Sequence, residues 1–354
     1  MPFTVPALAA AGPDAPLEFT TIERRDPGPH DVVIDIAYTG ICHTDIALLH
    51  NRWMEGIFPM VPGHEITGTV AATGADVTRH RVGDRVGVGC YVDSCRTCEN
   101  CLAGEEQHCR KGEVITYSAR DYEGRITYGG YSRRIVVDEN YVLRIPDGLA
   151  LDTAAPLLCA GVTVYGPLRR WGAGPGRSVA VVGMGGLGHL AVKIAHAMGA
   201  RVTALSRSLT NREDGLRLGA DAYLSTSDPA TFSDLAYDVD LIVNTVSARL
   251  DIDAFLGLLR LDGVMVNAGV TAEADSFHGP LLGAARRIIT STKNGGVRQC
   301  QEMLDFCAAH GIGADIETVA AGQVGGALER LERGDVRYRF VIDASTFDHP
   351  VPSA

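Results

Sequence analysis

A mainly β domain followed by a doubly wound α/β domain with a parallel sheet is the fold class this sequence predicts, on three observations. The chain has 354 residues, enough for two cores at roughly 100–200 residues per domain. Its first part is a series of short β-branched runs punctuated by glycine and proline, as in antiparallel β structure. From about Asp152 strand-like runs alternate with helix-like ones, and a glycine-rich turn separates an early strand from its helix, the signature of βαβ units.

Taken in order, Val32-Val33-Ile34-Asp35-Ile36, Ile66-Thr67-Gly68-Thr69-Val70 and Arg133-Arg134-Ile135-Val136-Val137 read as strands between turn residues. Residues 178–182 then read as a buried strand, 186–198 as a helix and 201–205 as the next strand. Residues 241–244 and 264–267 continue the alternation. The tail ends in Tyr338-Arg339-Phe340-Val341-Ile342-Asp343, a further strand. The predicted partition is residues 1–151, residues 152–292, and a tail of residues 293–354. That tail is expected to complete the edge of the parallel sheet and return to the first domain.

Charge narrows the partners. A formal net charge of −11 argues against nucleic acid or an anionic membrane as the main partner, since both need a basic face, while a local arginine cluster could still bind an anionic cofactor. Residues 179–200, the most apolar stretch, are interrupted by Lys193, two histidines and several glycines, a poor membrane span. The start, Met1-Pro2-Phe3-Thr4-Val5-Pro6, lacks a basic region followed by an apolar core. Nine cysteines in a chain read as unsecreted point to metal rather than disulfides. A cytoplasmic location is therefore expected.

Four of those thiols, Cys95, Cys98, Cys101 and Cys109, crowd into one short segment. Four thiolates can wrap a tetrahedral zinc ion and leave no position open, which makes a structural site. Cys42 in Gly40-Ile41-Cys42-His43-Thr44-Asp45, His64 in Pro62-Gly63-His64-Glu65 and Cys159 in Leu158-Cys159-Ala160 are candidates for a second, open site. Two thiolates and an imidazole neutralise the ion and leave one position for water or substrate. Singly, each cysteine also reads as a small core residue and the histidine as a turn residue. Their distance in sequence proves no proximity.

The run Gly183-Met184-Gly185-Gly186-Leu187-Gly188 follows a predicted strand and opens a predicted helix. That is the setting of the dinucleotide fingerprint: Gly183 for the tight turn, Gly185 for close approach of pyrophosphate, Gly188 for helix–strand packing. The residue about twenty positions on decides the cofactor, and an acid there would select NAD. This chain has Ser206-Arg207-Ser208, with Arg212 nearby. Hydroxyls and guanidinium groups suit a 2′-phosphate, so NADP(H) is expected.

Together these motifs resemble the zinc-dependent medium-chain alcohol dehydrogenases, specifically the cinnamyl alcohol dehydrogenase branch. Val61-Pro62-Gly63-His64-Glu65, Val92-Asp93-Ser94-Cys95-Arg96-Thr97-Cys98, Pro156-Leu157-Leu158-Cys159-Ala160-Gly161, Glu302-Met303-Leu304-Asp305-Phe306-Cys307 and Val336-Arg337-Tyr338-Arg339-Phe340-Val341 carry the likeness nearly end to end. The resemblance implies a GroES-like catalytic domain bearing a structural zinc lobe and a Rossmann NADP-binding domain. It implies two zinc ions per chain and reversible hydride transfer between NADP(H) and an aldehyde or primary alcohol. It also implies a homodimer joined through the nucleotide-binding domains.

Roles follow from the same resemblance. Cys42, His64 and Cys159 would hold the catalytic zinc, with Glu65 beside it as an exchanging ligand. Asp45 would orient His64, and Thr44 would bond the substrate oxygen and pass its proton. His43 would lie near the pyrophosphate, with Gly186 and Leu187 in the loop, and Thr163 in the cofactor cleft. Trp53 reads as a wall of the substrate pocket or as core packing. Two positions depart from the family pattern. Ala47 stands where a relay histidine is common, leaving His50 or ordered water to carry the proton. Lys293 and Asn294 stand near where plant relatives place an apolar pocket residue, which weakens the case for an aromatic substrate. Cys90 reads as a structural thiol beside the cysteine loop, and Cys300 and Cys307 as core residues. The cysteine loop alone would also suit a nucleic-acid-binding zinc module, which the negative charge disfavours.

Overall fold

The computed structural model describes residues 2–271 and 274–348. Two compact units divide the chain: one runs to Cys159 and resumes at Gly295, the other is Ala160–Asn294.

The first unit is built around the strand Asp31–Ile41, nearly every residue of which is buried or half-buried. Its β-branched residues Val32, Ile34, Ile36 and Ile41 lie in one core with Ile66, Val70, Val86 and Phe340. The strand pairs antiparallel with Ile66–Thr73, Arg134–Asp138 and Arg339–Asp343 within a seven-stranded sheet. Register places chemistry at one end of that sheet. Thr39 pairs with Ile66 and Ile41 with Phe340. Cys42 therefore leaves the central strand with His64 and Glu65 on one flank and Arg339 on the other. A hairpin of Phe3–Ala10 and Leu17–Arg24 and a short ladder of Tyr91–Asp93 with Val114–Ile115 complete the unit's strands.

The second unit holds a six-stranded, all-parallel sheet. Its spatial order is Ala222–Ser225, Arg201–Ser206, Ser178–Val182, Val239–Asn244, Leu259–Asn267 and Ile288–Ser291. Numbered along the chain that is 3-2-1-4-5-6, the doubly wound order. Strand Ser178–Val182 is buried throughout, as expected where helices cover both faces. The glycine turn leaves its carboxyl end at the point where strand order reverses, which is where open α/β sheets bind ligands.

The tail returns to the first unit, as expected, but does not complete the edge of the parallel sheet. Ile316–Ala320 and Arg339–Asp343 join the first unit's sheet, and among the described residues no strand after Asn294 enters the six-stranded sheet. Phe340, Val341 and Ile342 are fully buried in the first unit, a burial available only beside Asp31–Ile41. An apolar strand run identifies a buried strand but not the sheet that buries it. The units also meet at Cys159/Ala160 and Asn294/Gly295 rather than at 151/152 and 292/293. No helix among the described residues is long and apolar enough to cross a membrane.

Candidate active site

Cys42, His64, Glu65 and Cys159 converge at the end of the first unit's sheet, with one donor atom of each within 4.8 Å of the others. All four are buried, Glu65 completely. Both ring nitrogens of His64 and Oε2 of Glu65 are buried without a hydrogen-bond partner. Buried polar atoms are nearly always paired; Nδ1 of His64 faces Asp45 at 3.5 Å, so Nε2 of His64 and Oε2 of Glu65 are the two orphans at this spot that mark a missing group. Two thiols and an imidazole have the chemistry of an open zinc site. The residues fit the metal.

Asp45, on the helix His43–Leu49, accepts the Cys42 amide at 2.8 Å and lies 3.5 Å from Nδ1 of His64. Thr44 Oγ1 is 3.6 Å from Cys42 Sγ. Arg339, itself almost fully buried, donates to Oε1 of Glu65. Burial pushes the Glu65 carboxyl up to about 7, against the pull of Arg339. His43 is exposed at the start of the same helix. Trp53 is 42% exposed, which removes the core-packing alternative. Ala47 is buried, and His50 lies 2.5 Å from Asp14. Lys293 is exposed and Asn294 half-buried, at the end of the second unit.

The second cluster is Cys95, Cys98, Cys101 and Cys109, whose donor atoms also lie within 4.8 Å of one another. Sulfur–sulfur separations of 3.9 Å for Cys95–Cys101 and 3.5 Å for Cys98–Cys101 match the edge of about 3.8 Å that zinc–sulfur bonds of ~2.3 Å impose on a tetrahedron. Amides of Cys95 and Cys98 point at the sulfurs of Cys109 and Cys95, at 3.3 and 3.4 Å. The Thr97 amide, joined by that of Cys98, draws the Cys95 thiol down to about 6. Burial pushes the Cys101 thiol the other way, up to about 12, and the four converging sulfurs fit a closed zinc site.

Cys90, read as a structural thiol beside the cysteine loop, turns its sulfur to the carbonyl of Leu158 at 3.9 Å, next to Cys159. Cys300 and Cys307 lie buried on the helix Val297–Ala309.

In the second unit Gly183 has φ of 93°, open to glycine and strained for any side chain. A Cβ on Gly188 would stand 1.9 Å from the carbonyl oxygen of Gly183, whereas one on Gly185 would meet nothing within 4 Å. That is a tight turn, a close helix–strand contact and an open backbone face, as pyrophosphate binding requires. Gly186 and Leu187 complete the turn, and the helix Gly188–Ala197 begins with no side-chain cap, leaving its amides for an anion. Ser206 ends the strand Arg201–Ser206. The hydroxyls of Ser225 and Ser227 each hold the Arg207 carbonyl at 2.9 Å. Arg207, Ser208 and Arg212 are exposed, and Ser208 bonds Thr210 at 3.0 Å. Thr163 is buried on the helix Ala160–Arg170. The residues fit a phosphorylated dinucleotide.

Three residues of the centre carried no role in the sequence: Arg339, Tyr131 and Tyr117. Arg339 left a signal, because an arginine beside Phe340-Val341-Ile342 in a strand must find a buried partner. The tyrosines left none, since tyrosine in a β-rich stretch is ordinary.

Comparison with known proteins gives the same outline. Residues 28–147 match the family described as alcohol dehydrogenase GroES-like domain, and residues 186–309 match zinc-binding dehydrogenase. The chain is similar to NADP-dependent alcohol dehydrogenase C 1 of Mycolicibacterium smegmatis, 58% identical over 97% of this chain and 99% of that one. It is 47% identical to aldehyde reductase YahK of Escherichia coli, again over 97% and 99%. Among solved structures, a cinnamyl alcohol dehydrogenase of Sorghum bicolor superposes with a TM-score of 0.94 at 44% identity, covering 97% of this chain and 98% of that one.

Proposed function

The chain belongs to the zinc-dependent medium-chain alcohol dehydrogenases, in their cinnamyl alcohol dehydrogenase-like branch, and from that membership we propose that it reversibly reduces aldehydes to primary alcohols with NADP(H). The carrying observation is the buried Cys42–His64–Cys159 donor set beside Glu65, with Nε2 of His64 and Oε2 of Glu65 left without a partner. When bound, zinc supplies Lewis acidity toward a substrate oxygen and the nicotinamide supplies a hydride.

The chain's own residues do the rest. Cys42, His64 and Cys159 hold the metal, and Glu65, gripped by Arg339, stands ready beside it. Asp45 fixes the tautomer of His64. Thr44 bonds the substrate oxygen and hands it a proton at Oγ1. Ala47 cannot continue that path, so in reduction Thr44 regains its proton through His50 or water, and in oxidation the proton leaves by the same route. Trp53 walls the substrate pocket. His43 steadies the pyrophosphate, Thr163 borders the nicotinamide, and the loop of Gly183, Gly185, Gly186, Leu187 and Gly188 receives the phosphates. A steady-state panel of aldehydes and alcohols with both cofactors, on protein of known zinc content, tests the reading. Absence of turnover with every aldehyde would overturn it.

Cofactor choice rests on Ser206, Arg207, Ser208 and Arg212, where no acid stands to repel a 2′-phosphate. NADPH is expected to be preferred over NADH. Arg207→Ala should lower kcat/KM for NADPH on the order of tenfold, the loss of one charge-assisted contact, and leave NADH nearly unchanged. Equal efficiency with the two cofactors in the wild-type protein would contradict the assignment.

Two zinc ions per chain are proposed, the second in the Cys95–Cys98–Cys101–Cys109 lobe. A closed four-thiolate site contributes folding free energy directly. Cys98→Ala should therefore halve the metal content measured by atomic absorption and increase proteolytic cleavage in the lobe. A variant that still carries two ions would remove the structural site. All nine cysteines are free, which suits a cytoplasmic enzyme. The edge strand Ile288–Ser291, with Ile288 40% exposed, supports a homodimer joined through the nucleotide-binding units.

A further inference from the structure

We infer that Tyr131 is a positioning residue for the metal centre: through Asp45 its hydroxyl sets the tautomer and orientation of His64. The inference rests on the reading of Cys42, His64 and Cys159 as a metal site.

Asp45 is a fully buried carboxylate, and such a group persists only if its oxygens are satisfied. Its two oxygens have separate tasks. Oδ2 accepts the Cys42 amide at 2.8 Å and the Tyr131 hydroxyl at 3.1 Å. Oδ1 accepts the Gly63 amide at 3.3 Å and faces His64 Nδ1 at 3.5 Å. With Oδ2 occupied from two directions, the carboxylate plane cannot turn, and Oδ1 is held toward the imidazole. Nδ1 then keeps the proton, and the lone pair of Nε2 is left for the metal.

Tyr131 is well placed to fix this geometry because it is tied to the histidine as well as to the aspartate. Its amide donates to the Pro62 carbonyl at 2.9 Å, and the Gly130 amide donates to that of Gly63 at 2.9 Å. The peptide leading into His64 and the one leading into Tyr131 thus move together. The Tyr131 ring fills the space a Cβ on Gly63 would need, with a carbon 2.7 Å from that position. Tyr131 is 0% exposed, and burial pushes its hydroxyl well above the usual range, so it stays a donor. Tyr117 contributes differently. Its ring stacks on His64 with centroids 5.8 Å apart at 28°, while its own buried hydroxyl has no hydrogen-bond partner. One tyrosine acts by its hydroxyl, the other by its face.

The contrast supplies the test. Tyr131→Phe keeps the ring and removes only the donor. Such outer contacts are worth about 10–100-fold in metal affinity or activity. The variant should lose zinc to a strong chelator on the order of tenfold faster and lower kcat similarly, with KM for NADPH unchanged. Its cobalt-substituted form should show a displaced visible absorption band. Tyr117→Phe keeps its ring on His64 and removes a hydroxyl that makes no direct hydrogen bond, so it should disturb the band and chelation rate less than Tyr131→Phe does. If Tyr131→Phe does not fold, 3-fluorotyrosine placed at position 131 keeps ring and hydroxyl, strengthens the donor, and should slow metal loss. An unchanged cobalt band and chelation rate in either Tyr131 variant would overturn the inference. A Cys42→Ala protein that retains all its zinc would instead overturn the metal site, and this inference with it.

Discussion

His64→Ala is expected to abolish aldehyde reduction in a protein that still folds. The imidazole is one of only three donors to an open site, and a two-thiolate remnant does not hold zinc in place. A Lewis acid contributes several kcal/mol toward the developing charge on a substrate oxygen. At about 1.4 kcal/mol per factor of ten, its loss lowers kcat by at least on the order of 10³-fold. Cys42→Ala should do the same. Folding is expected to survive because the sheet core of the first unit is assembled from Val32, Ile34, Ile36, Ile66, Val86 and Phe340. The cysteine lobe also remains intact. Zinc content should fall by one ion per chain while the circular dichroism spectrum is retained. Wild-type protein that keeps its activity after complete zinc removal would contradict the mechanism.

The parts of this centre were unequally legible in the sequence. The cysteine lobe is local: its four thiols lie within one loop, so their spacing alone suggested a shared ion, and the sulfur separations agree. The glycine turn is also local, and both its positive φ at Gly183 and the crowding at Gly188 could be anticipated. The open site is not local. Cys42, His64 and Cys159 were joined by family resemblance, and only the pairing of Thr39 with Ile66 explains physically why the first two meet.

What the sequence hid were choices between equivalent partners. The tail's return to the first unit was expected, but an apolar strand satisfies either sheet, and only packing beside Asp31–Ile41 explains why none of its described strands edges the parallel one. Cys90 is close in sequence to the cysteine loop, yet from the bend between Arg85–Val88 and Tyr91–Asp93 its thiol faces Leu158. Tyr131 lies 86 residues from Asp45, and no periodicity links a hydroxyl to a distant carboxylate. Local rules marked the cysteine lobe and the glycine turn, and family resemblance joined the open site. Long-range pairing supplied what orients its ligands.

Arg339→Met is expected to be the most destabilising single substitution near the centre. Arg339 is 2% exposed and Glu65 0%, so neither charge can be hydrated if its partner is lost. Removing one member of a buried ion pair typically costs about 3–5 kcal/mol, because the other is left uncompensated. Here the stranded carboxylate would also face the thiols of Cys42 and Cys159. For a unit of this size, about 2–4 °C per kcal/mol places the thermal midpoint on the order of 10 °C below wild type. Glu65→Gln in the same protein should restore much of that loss, since a neutral amide needs no counter-charge and the methionine fills the arginine's volume. The double-mutant cycle isolates the pair from general packing damage. Two single variants whose effects simply add would show that the contact between Arg339 and Glu65 contributes nothing of its own. A restored double variant would show that the pair is kept for the position it gives Glu65 beside the metal, rather than for stability.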